Sequence, residues 1–476
     1  MKLRKNLAIY AVSDLLGRSI GLIASPISTR LLTPQQYGAI GLLGAVWSTV
    51  ALIQYGGMDS AYPFFSVHSK DNKEQILSIS TIIATISFFS LWIVFSTIGL
   101  IHPWLQNYAQ INKLELFLFL LALIPSSLIG WYLYLLRFLQ QALAFARINL
   151  LGKVLGVLIS LPIIYFVPSH QRLALMFSIS TILQILTFGW VFYEFRKIKI
   201  VLYSLSNFSL KLAKKMFSYG IILVPGAIIY SISFIADKLL VGWLAGPDQV
   251  AILILATSVA SVSLLLKQWF ALTWDPNLIE WLATKNPKFY LPKLQATAIA
   301  ISIVFCLIAC LAEIWGQWVI AFLYPPYYLP VANLVPIICL TAACSTLSLV
   351  AVATTIIADT PIYFLPIYSL ALFVNCLAGI LLIPRLGALG AIYGTFIGEI
   401  GITLSWILVG KLVLKNLPLN WGIPTALIGF SIFFIMVYSY WQYQSNIPLS
   451  MFTSSFLIII STLLLWQQKI LETVFK

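Results

Sequence analysis

Asp14 and Arg18 stand four residues apart inside an apolar stretch, Leu7 to Leu32, that is long enough to cross a bilayer. A spanning helix needs about 20 predominantly apolar residues, and a charge near its centre costs about 2.5–3.5 kcal/mol on translocon-derived scales. Something must offset that cost. At about 100° per residue, Asp14, Arg18, Gly21, Ser25 and Ser28 share one side of the helix. Either this stripe lines an aqueous or substrate-filled cavity, or the i,i+4 pair, acid first, simply neutralises itself.

Other ionisable residues fall inside apolar stretches as well. Lys153 is nearly mid-span, with Asn149, Gly156 and Ser160 on its face, so its ammonium reaches neither interface easily and is the best candidate for a cavity cation. Lys238 and Lys267 lie nearer span ends and can snorkel. Asp237 completes a stripe with Gly226, Tyr230 and Ser233, and Glu399 shares a face with Thr395 and Thr403. Glu399 reads either as a protonated packing residue or as a proton-coupling one. Glu313, close to Trp315 and Trp318, reads as a headgroup-level residue. A cavity holding Arg18 and Lys153 would attract a dense anion such as a diphosphate through charge-assisted hydrogen bonds, whereas an exporter of cations needs the opposite sign.

Signatures of other chemistry are missing from the sequence. It contains no HExxH, GxSxG or Walker loop, and His68, His102 and His170 are scattered at loop positions. Cys306, Cys310, Cys339, Cys344 and Cys376 sit in apolar stretches without paired spacing, so they read as small core residues. No metal or other cofactor is expected.

The elements that must carry these residues are membrane helices. Hydrophobic residues make up 61% of the 476 and charged ones only 9%, and the mean hydropathy is +0.98, which no soluble globular surface tolerates. Apolar runs bounded by turn signals give about fourteen spans, the last being Met451–Trp466. The net charge of +14 could suggest nucleic acid, but alternating the loops puts about twenty basic residues on one side and about four on the other. Topology therefore explains the charge, nucleic acid is not a partner, and both termini are expected in the cytoplasm. The stretch Arg196–Phe217 mixes basic and apolar residues. It reads either as an interfacial helix touching anionic lipid or as a linker that only fixes topology.

The chain repeats itself weakly. RLLTPQQYGAI, Arg30–Ile40, lines up with WLAGPDQVAIL, Trp243–Leu253, matching Pro34 to Pro247 and Gln36 to Gln249. Six spans separate the two, so the repeat is parallel and its pseudo-two-fold runs along the membrane normal. The expected fold is an all-α polytopic membrane protein. A six-helix bundle (1–195), a basic cytoplasmic connector (196–216), a second six-helix bundle (217–415) and two appended helices with a short tail (416–476) follow in order.

RLLTPQQYG at Arg30–Gly38, the glycine pair Gly56 and Gly57, and PRLGALGAIYGTFIGE at Pro384–Glu399 together resemble the oligosaccharide flippases of bacterial polysaccharide biosynthesis. These form the Wzx-type branch of the multidrug/oligosaccharidyl-lipid/polysaccharide (MOP) exporter superfamily. ADKLLVGWLAGPDQVAIL, Ala236–Leu253, is a looser match, with Val250 and Ala251 where the family usually has Gly-Tyr. The resemblance covers nearly the whole chain. It implies a MATE-like fold in the bacterial cytoplasmic (inner) membrane and translocation of undecaprenyl-diphosphate-linked repeat units, such as those of O-antigen and lipopolysaccharide, to the outer leaflet by alternating access. It also implies membrane lipid, and a polymerase and chain-length regulator of the same pathway, as partners. The substrate-binding candidates are Arg18, Asn149, Lys153, Tyr230 and Lys238. Those for coupling to protons or sodium are Asp14, Asp237 and Glu399. Alternatives are a lipid II flippase, a cation-coupled multidrug exporter, or a membrane-embedded polymerase or ligase, the last disfavoured by short outer loops. Reporter fusions placed after Lys214 and after Lys288 should both report cytoplasm, and periplasmic activity at either would overturn this topology.

Overall fold

A computed structural model describes residues 2–51, 53–68, 72–197, 208–283, 287–357, 363–413 and 421–444. Among them every regular element is helical. The expected span Met451–Trp466 and residues 198–207 of the basic connector lie outside the described residues. Contacts divide the chain into two compact units, 1–251 and 252–476.

The first unit holds α1 (Lys2–Leu31), α2 (Pro34–Ala51), α3 (Met58–His68), α4 (Lys73–Ile101), α5 (Trp104–Ala109), α6 (Lys113–Phe138), α7 (Ala142–Tyr165), α8 (Arg172–Lys197), α9 (Leu210–Ala245) and the start of α10 (Pro247–Val259). Its helices start where local chemistry dictates. Thr33 and Gln36 form a reciprocal capping box, backbone N–H to side chain at 3.2 Å each way, with Pro34 at the first helical position. Asn112 and Glu115 do the same for α6 at 2.8 and 2.9 Å. Gln36 also donates to the Ser169 carbonyl at 2.8 Å, so the RLLTPQQYG turn pins neighbouring connections together. Inside α1, Pro26 has no N–H to offer the Leu22 carbonyl, and the Ser25 hydroxyl donates to that carbonyl instead at 2.8 Å. Ser25 is buried, so its place in the polar stripe is explained by the proline rather than by a cavity.

Two groups of helices make up this unit: α1, α6, α7 and α8 pack together, and α2, α3 and α4 pack with α9. The second group rests on glycine. A Cβ on Gly38 would lie 1.8 Å from the Pro247 carbonyl oxygen, which brings the two repeated turn motifs into contact. A Cβ on Gly57 would lie 2.3 Å from Gly220 of α9, and Gly57 itself has φ +73°, a conformation that other residues adopt at a cost. Near the same end of α9, Tyr219 stacks on Phe64 at 4.4 Å. Near the other end, the Tyr108 hydroxyl donates to the Leu239 carbonyl at 2.6 Å. The helix expected to open the second bundle is thus held by α2, α3 and α5 along its length, and the division by contacts falls after it.

The second unit holds most of α10, then α11 (Ser261–Ala283), α12 (Pro287–Leu323), α13 (Val331–Ile357), α14 (Phe364–Leu386), α15 (Ala388–Val413) and α16 (Gly422–Gln444). α10 and α11 meet at a 52° bend. The Ala342–Ser345 run keeps α13 thin enough to be covered by α11, α12, α15 and α16 at once. Gly390, Gly394 and Gly398, spaced every four residues, face α14. Cβ atoms there would sit 2.5 Å from Leu382, 3.1 Å from Gly379 and 3.2 Å from Asn375.

Nine helices among the described residues are long and apolar enough to cross a membrane, ten if the bent pair counts as one span. α1 and α9, with 30 and 36 residues, are about 45 and 54 Å long at the helical rise, which also exceeds the hydrocarbon thickness. Leu151, Leu155 and Leu158 of α7 and Ile182, Ile185 and Leu186 of α8 are exposed, as lipid-facing residues should be. Gly38→Ala should remove the α2–α10 contact and destabilise the fold by about 1–3 kcal/mol through overpacking. Thermal melting of the purified variant in detergent measures this, and a melting curve like the parent's would contradict the close approach.

Candidate functional site

Four helices of the first unit, α1, α6, α7 and α8, line a half-open cavity of about 600 Å³. α7 contributes Asn149, Gly152, Lys153, Gly156 and Ser160, so the face that periodicity assigned to Lys153 is the cavity face. The Lys153 side chain crosses to α1. A Cβ on Gly17 would lie 2.7 Å from its Nζ, so the ammonium rests against bare backbone and would have to shift if position 17 carried a side chain. Asn149 donates from Nδ2 to the Ser13 hydroxyl at 3.2 Å, tying α7 to α1 one turn away. Across the cavity, Gln184 of α8 donates to Ser180 at 2.8 Å, while its Oε1 is buried with no hydrogen-bond partner.

The charge pattern follows from these helices. Arg18 Nε donates to Asp14 Oδ2 at 3.1 Å, and the two side chains are 38% and 42% exposed. The intrahelical pair therefore exists, with both members still reached by solvent or lipid, and neither lines the cavity among the described residues. Lys153 is within electrostatic range of Asp14, Arg18 and Arg137, so three cations stand against one carboxylate around this end of α1 and α7. Arg147 and Glu194 make a second ion pair at 3.8 Å, where Glu194 is buried and also accepts from Trp190 Nε1 at 3.4 Å. That pair fixes α7 against α8.

The remaining candidates lie apart from this cavity. Asp237 and Lys238 are half-buried neighbours on α9 within electrostatic range of each other. Tyr230 is on the same helix, with its side chain outside what the structure describes. In the second unit, Glu399 of α15 and Lys267 of α11 lie within electrostatic range. Thr403, on the same face, donates to the Cys344 carbonyl of α13 at 2.9 Å. Lys267, expected to snorkel, thus has a carboxylate on another helix. Trp315 and Trp318 are exposed on the outer face of α12, but Glu313 is on the opposite face, buried, and accepts a hydrogen bond from the Ser439 hydroxyl at 2.6 Å.

Gly17, Ser180, Gln184 and Thr187 had not been singled out. The last three recur at i, i+4 and i+7 along α8, a polar stripe in an apolar span that periodicity exposes. Gly17 carried no signal, because its role is to be small beside a lysine from another helix. Gly17→Ala should push the Lys153 ammonium off α1 while leaving the protein in the membrane at normal abundance. Reaction of Lys153 with an amine-directed reagent, read by mass spectrometry, should rise severalfold, and an unchanged rate would show that Gly17 does not seat it.

The family described as polysaccharide biosynthesis protein matches residues 3–269. No curated protein sequence matches the chain. Among solved structures, the lipid II flippase MurJ in an inward closed conformation is similar with a TM-score of 0.56 and 14% identity, over 92% of this chain and 99% of that one. An inward-facing multidrug resistance MATE family transporter of the MOP superfamily gives a TM-score of 0.61 and 15% identity, over 84% and 95%. The Vibrio cholerae MATE transporter VcmN in its bent form gives 0.51 and 13%, over 87% and 97%. At such identities the likeness is one of fold: an all-helical, multi-pass membrane protein built as these transporters are. With more than half of its length matched, this chain belongs to the polysaccharide biosynthesis protein family.

Proposed function

We propose that the chain carries a lipid-linked oligosaccharide diphosphate from the cytoplasmic to the outer leaflet of a bacterial cytoplasmic membrane by alternating access. The observation that carries this reading is Lys153, a cation seated over Gly17 in the wall of a largely apolar cavity that also presents Asn149, Ser180 and Gln184. An isolated charge there disfavours insertion by about 2.5–3.5 kcal/mol, which Leu or Ala would have avoided. A diphosphate would recover that cost through charge-assisted hydrogen bonds. Arg18 and Arg137 add to the same field, and Asn149, Ser180 and Gln184 offer the mixed donors and acceptors that sugar hydroxyls use. The family supports a polysaccharide precursor as cargo. Lipid II, the cargo named for MurJ, is the nearest alternative and shares the lipid diphosphate. A multidrug exporter is less well matched, because a surplus of cations repels cationic drugs.

Several features complete the reading. A six-plus-six repeat, expected over 1–195 and 217–415, would supply two bundles that alternate, although by contacts α9 packs with the first unit. Asp14, Asp237 and Glu399 are the groups through which protons or sodium would couple. Tyr230 and Lys238 would meet the substrate from α9. A polymerase and a chain-length regulator would receive the product. A polymerase or ligase activity fits poorly with connections as short as Leu32–Thr33, Gly246 and Gly387 between helices.

Lys153→Ala and Arg18→Ala, each at parental abundance, should abolish surface polysaccharide in a flippase-null strain. Lys153→Arg should retain part of the activity because the charge survives. Purified Lys153→Ala should also bind undecaprenyl diphosphate about tenfold or more weakly, as expected for loss of one charge-assisted contact. Full complementation by both alanine variants would sink the proposal.

A further inference from the structure

A second cavity, of about 610 Å³, lies wholly within the second unit. It is lined from α12, α13, α15 and α16 near one end of each: Glu313 and Gln317 late in α12, Asn333 early in α13, Tyr393 and Phe396 early in α15, and Ser439 late in α16. Lys293 and Lys411 mark the opposite ends of α12 and α15. By the charge asymmetry of the loops the pocket is therefore on the outer side. Trp315, Trp318 and Phe322, exposed on the far face of α12 at 42%, 64% and 82%, fit an aromatic belt at that level.

The lining has a definite chemistry. Glu313 is 6% exposed, whereas Gln317, Asn333 and Ser439 are exposed, so a buried carboxyl group lies behind a polar mouth. One of its oxygens already accepts the Ser439 hydroxyl. The remaining polar groups, two primary amides and a phenol, both donate and accept. Hydroxyl groups have the same dual character, and a ring bearing several of them can satisfy carboxyl, amide and phenol together. Phe396, three residues after Tyr393, and Met436 offer apolar surface for the C–H face of such a ring. A metal cation would want further anionic ligands, and no other acid lines the pocket. The volume is within the roughly 300–1,000 Å³ of small-molecule sites.

The geometry points to an outer-side glycan site in which Glu313, Gln317, Asn333 and Tyr393 bind one neutral, polyhydroxylated sugar ring of the translocated substrate. This rests on reading the cargo as a glycan, but not on the diphosphate contacts of the first unit. Because Ser439 belongs to α16, the appended helix completes the pocket. A sugar displacing its hydroxyl from Glu313 would exchange one neutral hydrogen bond for another.

The full chain in lipid nanodiscs, observed by saturation-transfer NMR against soluble neutral oligosaccharides that lack lipid and phosphate (maltotriose and chitotriose), tests this directly. At least one sugar should receive saturation at its ring protons. Glu313→Leu and Asn333→Leu should each weaken that binding about tenfold, the worth of one or two hydrogen bonds. Ser439→Trp should block it, with a thermal melt and Asn333→Leu as controls for the hydrogen bond to Glu313 that the change removes. Phe322→Ala, on the lipid-facing side, should leave it intact. A neutral glycolipid added to the nanodisc and competing with the sugar would assign the site to outer-leaflet headgroups, and overturn its assignment to cargo. No saturation of either sugar, saturation that survives all three pocket variants, or Glu313-dependent binding of methylammonium alone would overturn the site itself. Undecaprenyl diphosphate binding by the same variants should match the parent, which separates failure here from failure of the proposed cargo.

Discussion

Close approach of helix backbones through glycine is the contact on which the rest of this structure depends. In lipid, burying a leucine against another helix gains little over leaving it among acyl chains, so association rests on dispersion and on how near two backbones can come. Gly38 against Pro247, Gly57 against Gly220, and Gly390, Gly394 and Gly398 against α14 are approaches that a single methyl group would obstruct. Each joins segments far apart in sequence, except the α14–α15 hairpin, where the glycines make a tight turn-back possible. The capping boxes at Thr33 and Asn112 then fix where the helices begin. The register at which glycine meets glycine is thereby set.

That same economy of size makes room for charge. Lys153 rests against α1 where position 17 carries no side chain, and a Cβ there would come within 2.7 Å of its ammonium and make it shift. Ion pairs handle some of the other charges: Arg147 holds the buried Glu194, and Arg18 holds Asp14. Lys153 differs in having a carboxylate in range but also two competing cations. A site of net positive field inside a bundle is an unusual thing for a membrane helix to carry, and it distinguishes this cavity from mere packing.

Much of this was legible in the sequence. Span lengths, the glycine stripe on α15, the proline-led turns and the cavity face of α7 all follow from periodicities of one helix at a time. What escaped was anything needing two helices. Gly17 has meaning only beside Lys153, Lys267 only beside Glu399, and Glu313 only beside Ser439, more than a hundred residues away. Ser25 shows the reverse error. Its place in the polar stripe suggested a cavity, but the carbonyl freed by Pro26 one residue on accounts for its hydroxyl. Grouping by contact was also hidden, because nothing in the sequence says that Gly57 and Gly220 of α9 meet.

The two cavities differ in a way that bears on direction. The first has an excess of positive charge, and the second a single buried carboxyl group among neutral donors and acceptors. A ligand shifts a conformational equilibrium only through its difference in affinity between states. A site that gripped diphosphate equally on both sides would bind without moving it. If the first cavity binds the anion and the second only neutral hydroxyls, as proposed, that trap is avoided. On the proposed function, a diphosphate would find no matching cation in the second unit's pocket, and a glycan held there would gain only the modest net worth of hydrogen bonds. Weak retention at such a pocket is what release would require.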